Sequence, residues 1–144
     1  MNTYNELKER HQAEVNAFPL GFAFSNKQFE EMMAGWGLTA DDTDKIYRLG
    51  STGGFYRKSD APAFREMFNR HEQERQQALE ADKTGEGYIY QMFACELADH
   101  EYGYTYDFES TFGALDLTFE QVYNDKRLQR GLNKALKKYG GRRI

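Results

Sequence analysis

Ile46-Tyr47-Arg48-Leu49-Gly50-Ser51-Thr52-Gly53-Gly54-Phe55-Tyr56-Arg57-Lys58 is where the helical pattern of this 144-residue chain gives way. Two runs of strand formers, Ile46–Leu49 and Phe55–Lys58, flank the glycine-rich loop 50–54. That arrangement reads as a β-hairpin. Two strands are marginal alone, so the hairpin must pack on helices. Outward in both directions the periodicity is helical. The expectation is therefore an α+β fold: a mainly helical single domain over 1–144, with about six to seven helices and one small β-hairpin near 46–58. A chain of this length buries one core of modest size.

Upstream, a first helix is expected from about Tyr4 to Ala17, with Thr3 and Glu6 spaced as a capping box and Pro19 as its stop. A second follows Ser25, with Gln28 at the capping-box position and Phe24 and Phe29 spaced as a hydrophobic staple. Its stripe is Phe29, Met32, Met33 and Trp36, ended by Gly35 and Gly37. Downstream, Ser59 or Asp60 caps the longest helix, to about Ala81, and 82–87 is a turn before a helix from Tyr88 to His100. The tyrosine-rich segment 102–106 interrupts the pattern. Asp107, Thr118 and Asp125 start the remaining helices, and Gly140 and Gly141 stop the last.

Composition excludes several classes. The chain carries 19 Lys and Arg against 23 Asp and Glu, a net −4, and its 40% apolar and 15% aromatic content rules out a disordered chain. One cysteine, Cys95, excludes an internal disulfide framework. No apolar run approaches the ~18 residues of a membrane span, and Met1–Glu6 has neither the basic nor the apolar region of a signal peptide. A cytoplasmic protein with no membrane partner is expected.

The chemistry-bearing motifs are sparse. Asp82-Lys83-Thr84-Gly85-Glu86-Gly87 resembles the start of a calcium loop, but the twelfth position is Phe93, which offers no bidentate carboxylate. The loop 50–54 has backbone N–H groups for an anion, with Arg57 and Lys58 nearby, but lacks the lysine of a phosphate-binding loop. A helix-turn-helix over 29–44 would carry an acidic recognition segment, Ala40–Asp44, facing phosphates. His11, His71 and His100 each fall on the apolar stripe of a different expected helix, so a three-histidine metal site is one reading and three bonded core histidines the other. Cys95 sits mid-helix, where a thiol is most often a small buried hydrophobe. No nucleophile motif is present. A non-enzymatic protein without a cofactor is expected, with a metal-dependent enzyme built on the histidines as an alternative.

Charge is polarised. Residues 118–144 hold eight bases, Lys126, Arg127, Arg130, Lys134, Lys137, Lys138, Arg142 and Arg143, against Glu120 and Asp125. Arg127, Arg130, Lys134, Lys137 and Lys138 on the last helix are the candidate contacts for phosphates. The opposite pole, 82–120, holds nine acids against Lys83 alone, interleaved with Tyr88, Tyr90, Tyr102, Tyr104 and Tyr106. Acids repel nucleic acid and attract a basic groove, and tyrosine gives rigid amphipathic contact area. Glu101, Tyr102, Tyr104, Tyr106, Asp107 and Glu109 are the candidate partner-binding residues.

Several segments together carry a resemblance: 22–29, Thr43–Tyr47 leading into Gly53-Gly54-Phe55, Arg57–Asp60, Asp82–Gly87 and His100-Glu101-Tyr102. On these the chain resembles a family of small uncharacterised proteins carried by phages, plasmids and conjugative elements of Gram-positive gut bacteria. The resemblance covers most of 4–136 and transfers no catalytic residue. It implies an accessory protein of a mobile element in the cytoplasm of a bacterial host. Such proteins often inhibit host defence, including as anti-CRISPR proteins, or modulate replication and transfer. The expected partner is thus a host protein such as a CRISPR effector nuclease, with nucleic-acid binding by the basic C-terminal helix as an alternative.

Overall fold

The computed structural model describes residues 2–140. The expected stop at Gly141 and the bases Arg142 and Arg143 lie outside the described residues. The fold is α+β and mainly helical, with eight α-helices and one three-stranded antiparallel sheet among the described residues. The chain resolves into two compact units: one is His11–Glu72, and the other is formed by the chain on either side of it. No helix among the described residues is long and apolar enough to cross a membrane.

The flanking unit is built on α4 (Tyr88–Asp99) and α8 (Lys126–Leu136). Ile89, Phe93 and Leu97 recur every four residues on α4, and Leu128, Leu132 and Leu136 do so on α8. These two rows form the core. Tyr102 of α5 (Tyr102–Thr105), Phe112 of α6 (Glu109–Ala114) and Val122 of α7 (Phe119–Tyr123) complete it. The helices approach closely because two glycines meet. A Cβ on Gly131 would lie 2.5 Å from the Gly85 carbonyl oxygen and 2.5 Å from Ile89 Cγ2, and one on Gly85 would lie 2.1 Å from the Arg127 carbonyl oxygen. Gly85 also has φ +89, a conformation that glycine alone adopts freely.

The turn before α4 is organised by one side chain. Asp82 Oδ1 accepts from the N–H of Gly85 at 2.9 Å and Thr84 at 3.2 Å, and Oδ2 accepts from Gly87 at 3.1 Å and Ile89 at 3.0 Å. Burial opposes the Asp82 charge, but these four N–H groups outweigh it and lower the carboxyl's pKa. The oxygens a calcium ion would need first are thus already taken up by backbone donors.

In the other unit, β1 (Gly21–Phe22), β2 (Ile46–Leu49) and β3 (Gly54–Arg57) lie in the order β1-β3-β2. The expected hairpin forms with Leu49 opposite Gly54 and Ile46 opposite Arg57. The third strand, β1, was not expected; Gly21 pairs with Phe55 and Phe22 with Gly54. Two residues are too few to show alternation. Gly21 fits because α2 (Asn26–Gly35) crosses so close that a Cβ would meet Met32 Cγ at 2.6 Å. Ser25 caps α2 by accepting from Gln28 N–H at 3.2 Å, while Gln28 Oε1 accepts from Phe24 N–H at 2.8 Å. Below the sheet, Tyr56 stacks on Phe64 of α3 (Ala61–Ala81) at 4.3 Å between centroids. Ala40–Asp44 is a turn running into a 3₁₀ turn at Thr43–Lys45, so 29–44 contains no recognition helix.

The first helix, α1 (Thr3–Ala17), differs at its cap. Asn2, not Thr3, performs that role: Asn2 Oδ1 accepts from Asn5 N–H at 3.0 Å. Thr3 is already helical, and its hydroxyl donates to Gln91 Oε1 at 2.9 Å.

Candidate functional site

The acidic, tyrosine-rich pole is shaped where α4 stops. Glu101 takes φ 55, α5 makes one turn, and Tyr106 takes φ 53. Left-handed backbone costs a non-glycine residue roughly 1–2 kcal/mol, so the segment is held by what it buries. The anchor is Tyr102, only 2% exposed, stacked on Phe108 at 5.0 Å and edge-on to Tyr139 at 5.1 Å. Tyr102 therefore belongs to the core and is not a contact residue, which corrects its place in the expected surface. The turn it anchors throws Tyr104 outward, 88% exposed, and leaves Tyr106 50% exposed.

Glu101, Asp107 and Glu109 are all exposed beside these rings. Asp107 Oδ1 accepts from Glu109 N–H at 3.0 Å, starting α6 and fixing the two acids relative to each other. Two residues missed in the sequence join this surface. Phe119 is exposed yet lies edge-on to Phe112 at 4.9 Å and Phe108 at 5.8 Å, and Tyr123 is exposed one turn further along α7. Their i, i+4 spacing after the Thr118 cap was the signal that would have found them. Thr118 and Gln121 do form the expected capping box.

A second polar cluster lies on α4. Glu96 is buried, and its Oε1 accepts from the Tyr4 hydroxyl at 2.8 Å and the Lys8 ammonium at 2.6 Å; His100 Nε2 is 3.6 Å from Oε2. Burial and the neighbouring Glu96 carboxylate push the Tyr4 phenol up. Burial works against the Lys8 charge, but the bond to Glu96 prevails and its pKa rises. Cys95 Sγ lies 3.6 Å from Asp99 Oδ2, and burial followed by the Asp99 charge raises the thiol. A thiol held protonated beside a carboxylate is a poor nucleophile. Cys95, Glu96 and Asp99 are the one group of metal-ligating side chains close enough together among the described residues. Lys8, at 2.6 Å from Glu96 and 3.4 Å from Asp99, already supplies their cation.

The three histidines do not form a three-residue cluster. His11 and His71 stack face to face, both buried, with centroids 3.8 Å apart. His100 belongs to the other unit, against Glu96. His71 Nε2 has no hydrogen-bond partner; Glu14 Oε1 is 3.5 Å away. Glu14 itself is clamped by Arg70, whose Nη1 donates to Oε1 at 3.1 Å and whose Nη2 donates to Oε2. That guanidinium holds the Glu14 carboxyl down to about 2, with His71 a lesser contributor.

Two of the basic positions of α8 hold backbone carbonyls. Asp125 caps the helix as expected. The Arg127 guanidinium donates to the carbonyls of Leu79 at 3.0 Å and Asp82 at 2.8 Å, satisfying the end of α3. Arg130 donates to the Thr84 carbonyl at 3.2 Å. Lys134 lies 4.5 Å from the Tyr90 ring centroid and Lys138 5.2 Å from that of Tyr139. Lys137 is exposed. In the hairpin, Arg57 pairs with Asp60 at 2.9 Å, and Lys58 lies over Tyr47 at 5.0 Å.

The model of one protein family, a family of unknown function (DUF7659), matches residues 3–138, and the chain belongs to that family. No curated protein and no solved structure matches the chain.

Proposed function

We propose that this member of DUF7659 is a non-enzymatic binding protein whose acidic, tyrosine-bearing face engages a basic groove of a nucleic-acid-handling protein. The observation that carries the reading is one short segment. Tyr104 and Tyr106 stand exposed between Glu101, Asp107 and Glu109, on a turn whose ends are both left-handed and whose middle is pinned by Tyr102. A pinned turn presents rings and charges with little conformational freedom left to lose on binding. Carboxylates at its rim attract a basic partner and raise the association rate. Phe119 and Tyr123 extend the apolar area.

The resemblance to mobile-element proteins supports, as the partner in this reading, a host defence nuclease such as a CRISPR effector, inhibited in the host cytoplasm. Two alternatives have less support. Arg127 and Arg130 hold backbone carbonyls, which withdraws two of the five candidate cations from a phosphate. His11 and His71 stack on each other and His100 lies against Glu96, contacts that favour the reading of bonded core histidines.

The test is a pull-down from host lysate treated with nuclease, using the wild-type chain and the triple variant Glu101→Lys, Asp107→Lys, Glu109→Lys. The wild type is expected to retain one large nucleic-acid-handling protein, and the variant to lose it and its inhibition. Full retention by the variant overturns the assignment. Recovery of nucleic acid that weakens steeply with salt would transfer the function to α8.

A further inference from the structure

The unit His11–Glu72 carries a groove of about 430 Å3 lined by Ala23, Phe24, Ser25, Asn26, Phe29, Thr43, Ile46, Arg48 and Phe55. Its walls are the start of α2 on one side and the sheet face of β2 and β3 on the other. Phe29 meets Phe55 edge-on at 5.5 Å across it. Phe24, 75% exposed, stands at the rim with its ring over Gly53, where a Cβ would come within 2.4 Å of it.

Two further features coincide with this groove. The first is an open sheet edge. In the order β1-β3-β2, β2 has a strand on one side only, so its outer N–H and C=O groups are available to another chain. The second is charge. Arg48 is the one charged residue in the lining, and no carboxylate lines it. Its guanidinium lies over Phe55, 5.8 Å from the ring centroid, and it makes no ion pair among the described residues.

We infer that this groove is a docking site for an extended, acidic peptide segment of a partner protein, added as a fourth strand beside β2. Strand addition between a sheet edge and a helix draws affinity from backbone bonds and specificity from alternate side chains. Side chains of an added strand repeat every two residues on one face. Ile46 and Arg48 are two apart on β2 and both line the groove, so an added strand places one side chain beside Ile46 and the next but one beside Arg48. The complementary sequence is a large apolar or aromatic residue and an Asp or Glu separated by one residue. A nucleic acid fits less well, because it has no alternating backbone N–H and C=O groups to pair with the open edge of β2.

This site is independent of the acidic face and is tested separately. A random peptide display library is selected on the full chain, and the enriched peptide is synthesised and titrated. The expected result is enrichment of the aromatic-x-acid pattern, at least tenfold weaker binding to Arg48→Glu, and weaker binding to Phe24→Ala. Both side chains are exposed, so unchanged circular dichroism shows that the fold survives. The triple charge reversal of the acidic face leaves this binding unchanged. No enrichment, an enriched sequence without an acid, or affinity indifferent to both substitutions overturns the inference. So does tighter binding of a labelled oligothymidylate that competes with the peptide.

Discussion

Glu96 and His71 are both buried side chains capable of charge, and the two units treat them differently. Around Glu96 every neighbour answers: the Tyr4 hydroxyl, the Lys8 ammonium and the His100 ring converge on its two oxygens, inside a core of fully buried Ile89, Phe93, Leu97, Leu132 and Leu136. Around His71 the contacts are mostly rings, His11 at 3.8 Å and Phe68 at 5.8 Å; Nε2 has no hydrogen-bond partner and lies 3.5 Å from Glu14 Oε1. The unit holding His71 buries few large apolar side chains, chiefly Met33, Ile46 and Met67, and leaves Phe22, Phe24, Tyr47 and Phe68 exposed. A region with a thin core opens at lower free energy than one built on an aliphatic ladder. The comparison teaches that the unit with the satisfied buried charge is the scaffold, and the unit with the open sheet edge is the adaptable one.

The sharpest way to break that contrast is Glu96→Ala. It removes the acceptor of a buried tyrosine hydroxyl, and Lys8 regains water only in part because it is half-exposed. Urea unfolding is expected to show a loss of about 2–3 kcal/mol. A loss under about 0.5 kcal/mol would mean that the cluster is not a structural hub. His71→Phe is the counterpart and should change stability by no more than about 1 kcal/mol, since no hydrogen bond of Nε2 is lost and a ring still faces His11.

The smallest effect concerns acid. The Glu14 carboxyl is lowered from 4.5 to about 2 by Arg70, so its contribution is present above the higher value and is lost as pH falls through the lower. Stability of Glu14→Gln is expected to run below that of the wild type at neutral pH and to converge with it near pH 2. Parallel curves down to that pH would show that the clamp does not form in solution.

Much of the fold was legible because it is written in local chemistry. Ser25, Thr118 and Asp125 each cap a helix through their own side chains, and the hairpin follows from strand formers on either side of glycines. What escaped depends on residues far apart in the chain. The strand β1 forms by pairing with β3, with Met32 and Trp36 leaving room only for glycine at Gly21, and the Thr3 hydroxyl turns to Gln91, almost ninety residues away, while Asn2 caps the helix. The site was half legible for the same reason. Alternation of tyrosine and acid marked the segment 101–109, but which tyrosine turns inward is decided by Phe108 and Tyr139. The groove beside β2 left no mark, since its lining comes from three separate stretches.

The meeting of Gly85 and Gly131 has a mechanical consequence. Where helices touch through side chains, the rotamers between them act as a lubricating layer, and one helix can slide past the other by small rearrangements. Where Gly85 meets α8 that layer is missing and main chain rests on main chain, with Arg127 and Arg130 bonded to the same turn on either side. Such a joint transmits a push or a twist without slip, and it yields only by coming apart. Any force that a partner applies to α8 is therefore delivered undamped to the start of α4.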